Sequence, residues 1–160
     1  MTPIEPRPYL EPTRESGRAL ALRPIEGALI MFNLLRFRDV ADYAASPGLA
    51  PKSPISGAAA YDLYIAHALP FLEESGGELL FLYDGGPWLI GPAGERWDRA
   101  LLIRQKSVET FMAFATNEAY LGGIGHRTAA LEDSRLLPLT PAAKPGASRK
   151  PSTHTRGVLQ

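Results

Sequence analysis

The run Gly27-Ala28-Leu29-Ile30-Met31-Phe32-Asn33-Leu34-Leu35-Arg36-Phe37 constrains the fold of this chain more than any other stretch. Successive side chains of a strand point to opposite faces. One face would carry Ala28, Ile30, Phe32, Leu34 and Arg36, and the other Leu29, Met31, Asn33, Leu35 and Phe37. Both are almost wholly apolar, and a strand of that kind has to be covered on both sides. A buried helix would tolerate the same run, but Pro24, Gly27 and the aromatic content favour a strand.

Composition narrows what can surround it. At 160 residues the chain is long enough for one domain that buries roughly two thirds of its unfolded surface. It has no cysteine, which excludes disulfides, thiolate catalysis and Cys-ligated metal. Basic and acidic residues number 17 each, but Lys144, Arg149, Lys150 and Arg156 follow the last apolar segment. Without those four, 13 basic residues face 17 acidic ones in the body, which argues against a nucleic-acid surface. The start, with Pro3, Pro6 and Pro8, has no apolar h-region of a signal peptide. No apolar run approaches the ~18 residues of a membrane span. A soluble, cytoplasmic protein is expected.

Read in order, residues 1–23 form an arm with a short helix from Arg14 to Leu22, capped by Thr13 and stopped before Pro24. The main domain spans residues 24–139. After the organising strand comes a loop rich in proline and glycine over 44–57, either an insertion without a role or a flap over a pocket mouth. Ser56 caps a helix from Gly57 to Ser75, with Tyr61, Tyr64, Ile65, Ala68, Phe71 and Leu72 on its apolar side. Glu78 to Tyr83 is a second strand. Asp84-Gly85-Gly86 signals a turn or bulge, with Trp88-Leu89-Ile90 continuing as strand beyond it. Trp97 to Gln105 is a third strand, Ser107 caps a helix through Thr116, and short helical turns run from Asn117 to Leu131. Ser134 to Leu139 is the last strand, and residues 140–160 form a basic tail expected to be disordered.

This order predicts an α+β fold, the ferredoxin-like split βαβ arrangement with two helices on one face of an antiparallel sheet. Helices cover only one face, so the second apolar face of the central strand calls for another cover. A second copy of the sheet would supply it, giving a homodimer.

Several strings also match a known family in order and spacing: Asn33-Leu34-Leu35-Arg36-Phe37-Arg38, Gly76-Gly77, Leu89-Ile90-Gly91-Pro92, Glu95-Arg96-Trp97-Asp98 and His126 to Leu136. Together they resemble the uncharacterised domain of unknown function 1330, within the dimeric α/β-barrel superfamily, over roughly Pro24 to Leu139. The resemblance implies a ferredoxin-like protomer whose sheet faces that of a partner across a barrel. It brings no agreed activity and no list of catalytic residues.

Candidates for chemistry are few. His67, His126 and His154 lack metal-ligand spacing, no nucleophile elbow is present, and the glycines do not read GxGxxG, so neither metal nor cofactor is expected. Asn33 is an amide among apolar neighbours and must be paired, either structurally or with a ligand. Arg36 and Arg38 pair with acids, or one of them grips a carboxylate or phenolate. His67, on the border of its helix, and His126, after three glycines within four positions, are the candidate general bases. Trp97 belongs to the core or an interface, or stacks on a ligand. Three functions fit. One is cofactor-free acid/base or oxygenase-type chemistry on a small, largely apolar metabolite inside the barrel. The second is binding of such a ligand without turnover, and the third a purely structural dimer.

Overall fold

A computed structural model of the protein describes residues 8–143. The first residues of the arm and the basic tail beyond Ala143 lie outside them. The arm leads into α1 (Arg14–Leu22), where Thr13 and Ser16 cap each other reciprocally. Then follow β1 (Leu29–Phe37), α2 (Gly57–Glu74), β2 (Glu78–Pro87), β3 (Arg96–Gln105), α3 (Val108–Ala115), α4 (Glu118–Leu121), α5 (Ile124–Ala130) and β4 (Leu131–Leu139). Side-chain oxygens of Ser56, Ser107 and Asn117 accept the backbone N–H groups that open α2, α3 and α4.

The four strands form one antiparallel sheet in the order β2-β3-β1-β4, the ferredoxin-like arrangement, with β1 between β3 and β4. Asn33 stands opposite Leu101 on one side and Leu136 on the other. Burial along β1 alternates strictly: Leu29, Met31, Asn33, Leu35 and Phe37 are buried, while the residues between them are half-buried. The buried set faces the helices. On the other face Phe32 sits between Leu102 and Leu137, with Phe81 beyond Leu102 and Tyr83 beyond Ala100. Phe81, Tyr83 and Leu137 are exposed. The sheet is open, with β2 and β4 as free edges, and one chain does not close it into a barrel.

Two segments differ from the expectation drawn from sequence. β2 runs on through Asp84-Gly85-Gly86 to Pro87, with its irregularity earlier, between Leu79 and Phe81. Trp88-Leu89-Ile90 is loop rather than strand. Pro87 and Pro92 withhold backbone donors there, and the Trp88 indole N–H donates to Glu95 (2.8 Å), folding the segment back on itself. Leu89 and Ile90 are left 99% and 89% exposed. β4 begins at Leu131 rather than Ser134, because Leu131 pairs with Phe37 across a register shift.

The core is in two parts. The larger gathers Leu35, Phe37, Tyr61, Tyr64, Leu101 and Leu131 between sheet and α2. The smaller gathers Leu20, Leu29, Met31 and Val108 between β1, α1 and α3. Ile103 touches both, and the space between them is not filled by side chains.

The start of α2 is clamped where β1 ends. Gly57 N–H donates to the Arg38 carbonyl (3.0 Å), and Arg38 N–H donates to that of Ala130 (2.9 Å). A Cβ on Gly57 would stand 2.3 Å from the first carbonyl oxygen and 2.6 Å from the second. Both are backbone atoms without freedom to retreat. Gly57→Ala is therefore expected to lower stability by about 1–3 kcal/mol, seen in urea as an earlier midpoint with an unchanged slope.

Candidate functional site

The unfilled space is a cavity of about 500 Å³ between the helices and the sheet. Its floor is the helix-facing side of β1 and β3: Met31, Asn33, Ile103 and Gln105. One wall is α2, whose Tyr61, Tyr64, Ile65, Ala68 and Leu72 recur at helical spacing. The opposite wall comes from Phe111 and Phe114 of α3, Tyr120 of α4, and Ile124 and Arg127 of α5. Glu11, Pro12, Leu121 and Leu136 are the exposed members of the lining and mark the mouth.

The arm is tied to that mouth by polar contacts. Tyr9 N–H donates to Asp133 (2.8 Å), the Ser134 hydroxyl donates to the Tyr9 carbonyl, and Arg127 donates to the Leu10 carbonyl (2.5 Å). Burial would raise the Asp133 carboxyl, but the hydrogen bonds from Tyr9, Arg135 and Ser134 prevail and hold it below the usual carboxylate range. Arg135 is sandwiched between the Tyr9 and Trp97 rings, at 4.8 and 5.1 Å.

Polar groups inside are sparse and individually placed. Asn33 is buried, and its Nδ2 donates weakly to the Met31 carbonyl (3.3 Å). Gln105 is 2% exposed and its Oε1 has no partner among the described residues. The Tyr64 and Tyr120 hydroxyls share a 2.5 Å hydrogen bond. Burial raises the Tyr61 phenol, helped by its neighbour Tyr64 and opposed by the charges of Arg127 and Arg99. Tyr64 and Tyr120 are raised too, burial again being the largest cause, with Arg127 acting against it. At neutral pH all three phenols are protonated and serve as hydrogen-bond donors or acceptors.

Of the residues singled out from sequence, only Asn33 lines this cavity. His67 Nε2 donates to the carbonyls of Ala119 and Tyr120, both at 3.0 Å, and so ties α2 to α4. Its ring also occupies the space a side chain on Gly123 would need. His126 Nδ1 shares a 2.7 Å hydrogen bond with the Tyr43 hydroxyl. Burial first, and the charge of His67 second, lower its pKa, so it is neutral at pH 7. Arg36 pairs with Asp133 (3.8 Å), donates to the Arg96 carbonyl and lies 4.6 Å over the Trp97 ring. Arg38 lies at the α2 clamp, its Nε buried with no partner among the described residues. The structure thus brings Arg36 and Trp97 together, but outside the cavity. The loop over 44–57 does not line the mouth either; Ser46 and Leu49 rest on Gly125 of α5.

The sequence does not mark Gln105 as a site residue, places Arg127 with Asp133 and Arg135 in a structural ion-pair and capping cluster, and reads Tyr61 and Tyr64 as core or interface. A signal for Gln105 was present: it is a polar residue at the end of an apolar strand, in phase with Leu101 and Ile103. Arg127 had none, because its approach to the cavity depends on how the short α5 packs. Among the described residues no group of three His, Asp or Glu side chains could hold a metal ion. No helix there is long and apolar enough to cross a membrane.

Two crystal structures of RPA0582, the second described as a protein of unknown function from Rhodopseudomonas palustris, match this fold closely. The methylated form is 33% identical with a TM-score of 0.76, over 88% of this chain and 98% of that one. The second structure gives 31% and 0.74, over 86% and 99%. This chain belongs to the RPA0582 family. A dimeric ferredoxin-like protein of unknown function from Bacteroides fragilis is 12% identical with a TM-score of 0.42, over 69% of this chain and 93% of that one. At that distance it says nothing of how members of the RPA0582 family assemble. No family model matches the chain. No curated protein matches it.

Burial of the phenols has a consequence for stability in base. Tyr61 keeps its proton in the folded state above the pH at which an unfolded tyrosine, near 10, loses it. The native state then binds more protons than the unfolded one. Its contribution is complete below about pH 10 and is lost as pH rises further, at up to about 1.4 kcal/mol per pH unit for one phenol. Urea midpoints measured from pH 9 to 11 are expected to fall, and Tyr61→Phe, which keeps the ring, should flatten the decline.

Proposed function

We propose that the protein is a homodimeric binder of a small, largely apolar metabolite, held in the cavity between helices and sheet. The observation that carries this reading is the size of that cavity against its lining. The space of about 500 Å³ opens to solvent at the mouth marked by Glu11 and Pro12, and is therefore occupied by water or by a ligand. Walls of leucine, isoleucine, methionine and phenylalanine are poor hosts for water, and the few polar groups are spaced as orienting contacts in ligand sites are.

Binding without turnover is favoured over acid/base or oxygenase-type chemistry. Among the described lining residues, the groups able to exchange a proton are Glu11 at the mouth and three phenols held protonated. Neither histidine is with them, so the base that such chemistry needs has no access from His67 or His126. The motif strings quoted above are what supports counting this chain in domain of unknown function 1330.

Nile red, a neutral apolar dye, tests the cavity. It is expected to bind with a blue-shifted, enhanced emission, and Ala68→Phe, which fills the space from α2, should abolish the signal without unfolding the protein. Unchanged emission in that variant would place the dye elsewhere and remove the cavity from consideration.

The dimer rests on the open sheet face. Phe32, Leu102 and Leu137 on adjacent strands, with Phe81 and Tyr83 beside them, form an apolar surface that no helix among the described residues covers. Pairing two such faces would bury on the order of 2,000 Å² in total. Sedimentation at low micromolar concentration is expected to give twice the chain mass of 17.4 kDa. Phe81→Glu, at an exposed position of the face, should shift the protein to monomer. A monomeric parent protein would show that the face is not an interface between copies.

A further inference from the structure

Resting on the cavity reading above, the geometry points to the class of ligand: an amphipathic monoanion, with a carboxylate on Arg127 and an apolar body extending along β1. Arg127 is the charged group to begin from. Arg36, Arg96, Arg99, Arg104 and Arg135 each have a carboxylate within 4.0 Å. Arg127 has none among the described residues, and of the described arginines it is the one that lines the cavity. Its guanidinium gives one N–H to the Leu10 carbonyl and a second, at 3.4 Å, to the Ser134 hydroxyl. A guanidinium has five N–H groups, so most of its donor capacity is unused beside a half-buried positive charge.

The surroundings select among anions. Tyr61 and Tyr64 share the lining with Arg127, and their protonated phenols feel its charge. The Tyr61 hydroxyl makes no hydrogen bond among the described residues and is a free donor for an oxygen held by Arg127. One cation with a neutral donor balances a single negative charge. A phosphate dianion would be left undercompensated, with Glu11 at the mouth adding repulsion. The planar fork of a guanidinium matches a carboxylate's two oxygens.

The length of the cavity sets the body of the ligand. Among the strand residues of the lining, Asn33 and Leu136 stand opposite each other at the Arg127 side, and Gln105, at the other end, pairs with Leu29. Four strand residues separate those levels, about 14 Å at ~3.4 Å per residue. Between them the lining is Met31, Ile103, Leu72, Phe111 and Phe114. That is room for an alkyl chain or an aromatic body beyond the carboxylate.

Octanoate and 1-octanol share one chain and differ in the charge of the head, which makes them the probes. Calorimetric titration of the full chain at pH 7 is expected to show octanoate binding at least about tenfold tighter than 1-octanol. Arg127→Met should remove that advantage, bringing octanoate to within about twofold of 1-octanol in the same variant. Equal affinities in the unmodified protein would overturn the inference. So would an octanoate affinity that survives Arg127→Met, or binding of neither probe. If Nile red still binds in a cavity-dependent way, the cavity reading stands and only the charge assignment falls. If Nile red also fails, both fall together. The comparison on the unmodified protein decides the matter even where the variant does not fold.

Discussion

Everything in this structure depends on β1 being apolar on two faces while helices can reach only one. The side chains of Leu29, Met31, Leu35 and Phe37 bury against α1, α2 and α3, and that burial holds the layers together. The same strand, by the alternation of its side chains, presents Ile30, Phe32 and Leu34 to the other side. A single substitution cannot separate the two demands, because the face on which a residue lies is set by its parity along the strand. The open face and the packed face are two consequences of one short stretch of sequence.

Within the packed layer the protein forgoes complete filling. Large residues are present in abundance, yet they collect into two clusters that leave a channel along β1 between them. The channel is where Asn33, Gln105 and Arg127 break an otherwise apolar lining. Polar side chains at such depth weaken a core unless something pairs with them, and Gln105 Oε1 has no partner among the described residues.

The titratable groups that sequence alone brings forward serve as struts around this site. His67 joins α2 to α4, His126 meets Tyr43 just ahead of the long loop, and Asp133 gathers the arm, Arg36 and Arg135. The arm in turn is tied at the mouth through the backbone of Leu10, held by the same Arg127 that lines the cavity. The arm and the positive charge of the described lining are therefore linked through a single side chain.

The strand and helix order, the caps at Thr13, Ser56 and Ser107, the central place of β1 and the burial of Asn33 were all legible in the amino-acid sequence. Each rests on local periodicity or on a side chain bonding a backbone group three residues away, and such interactions act over a turn or two of chain. The strand expected over Trp88-Leu89-Ile90 is a loop, because Pro87 and Pro92 withhold backbone donors and the bond from Trp88 to Glu95, seven residues on, folds the segment back. The cavity was wholly a tertiary outcome. Tyr61 and Tyr64 read as core or interface by their helical spacing, Gln105 as the last residue of a strand, and Arg127 as a structural partner of Asp133. Their convergence joins α2, β3 and α5 from positions more than sixty residues apart in the chain. A sequence pattern records which face a residue occupies on its own element. Which faces meet, and how much space is left between them, is decided by the packing of whole elements, and so the site belongs to the fold rather than to any stretch of the chain.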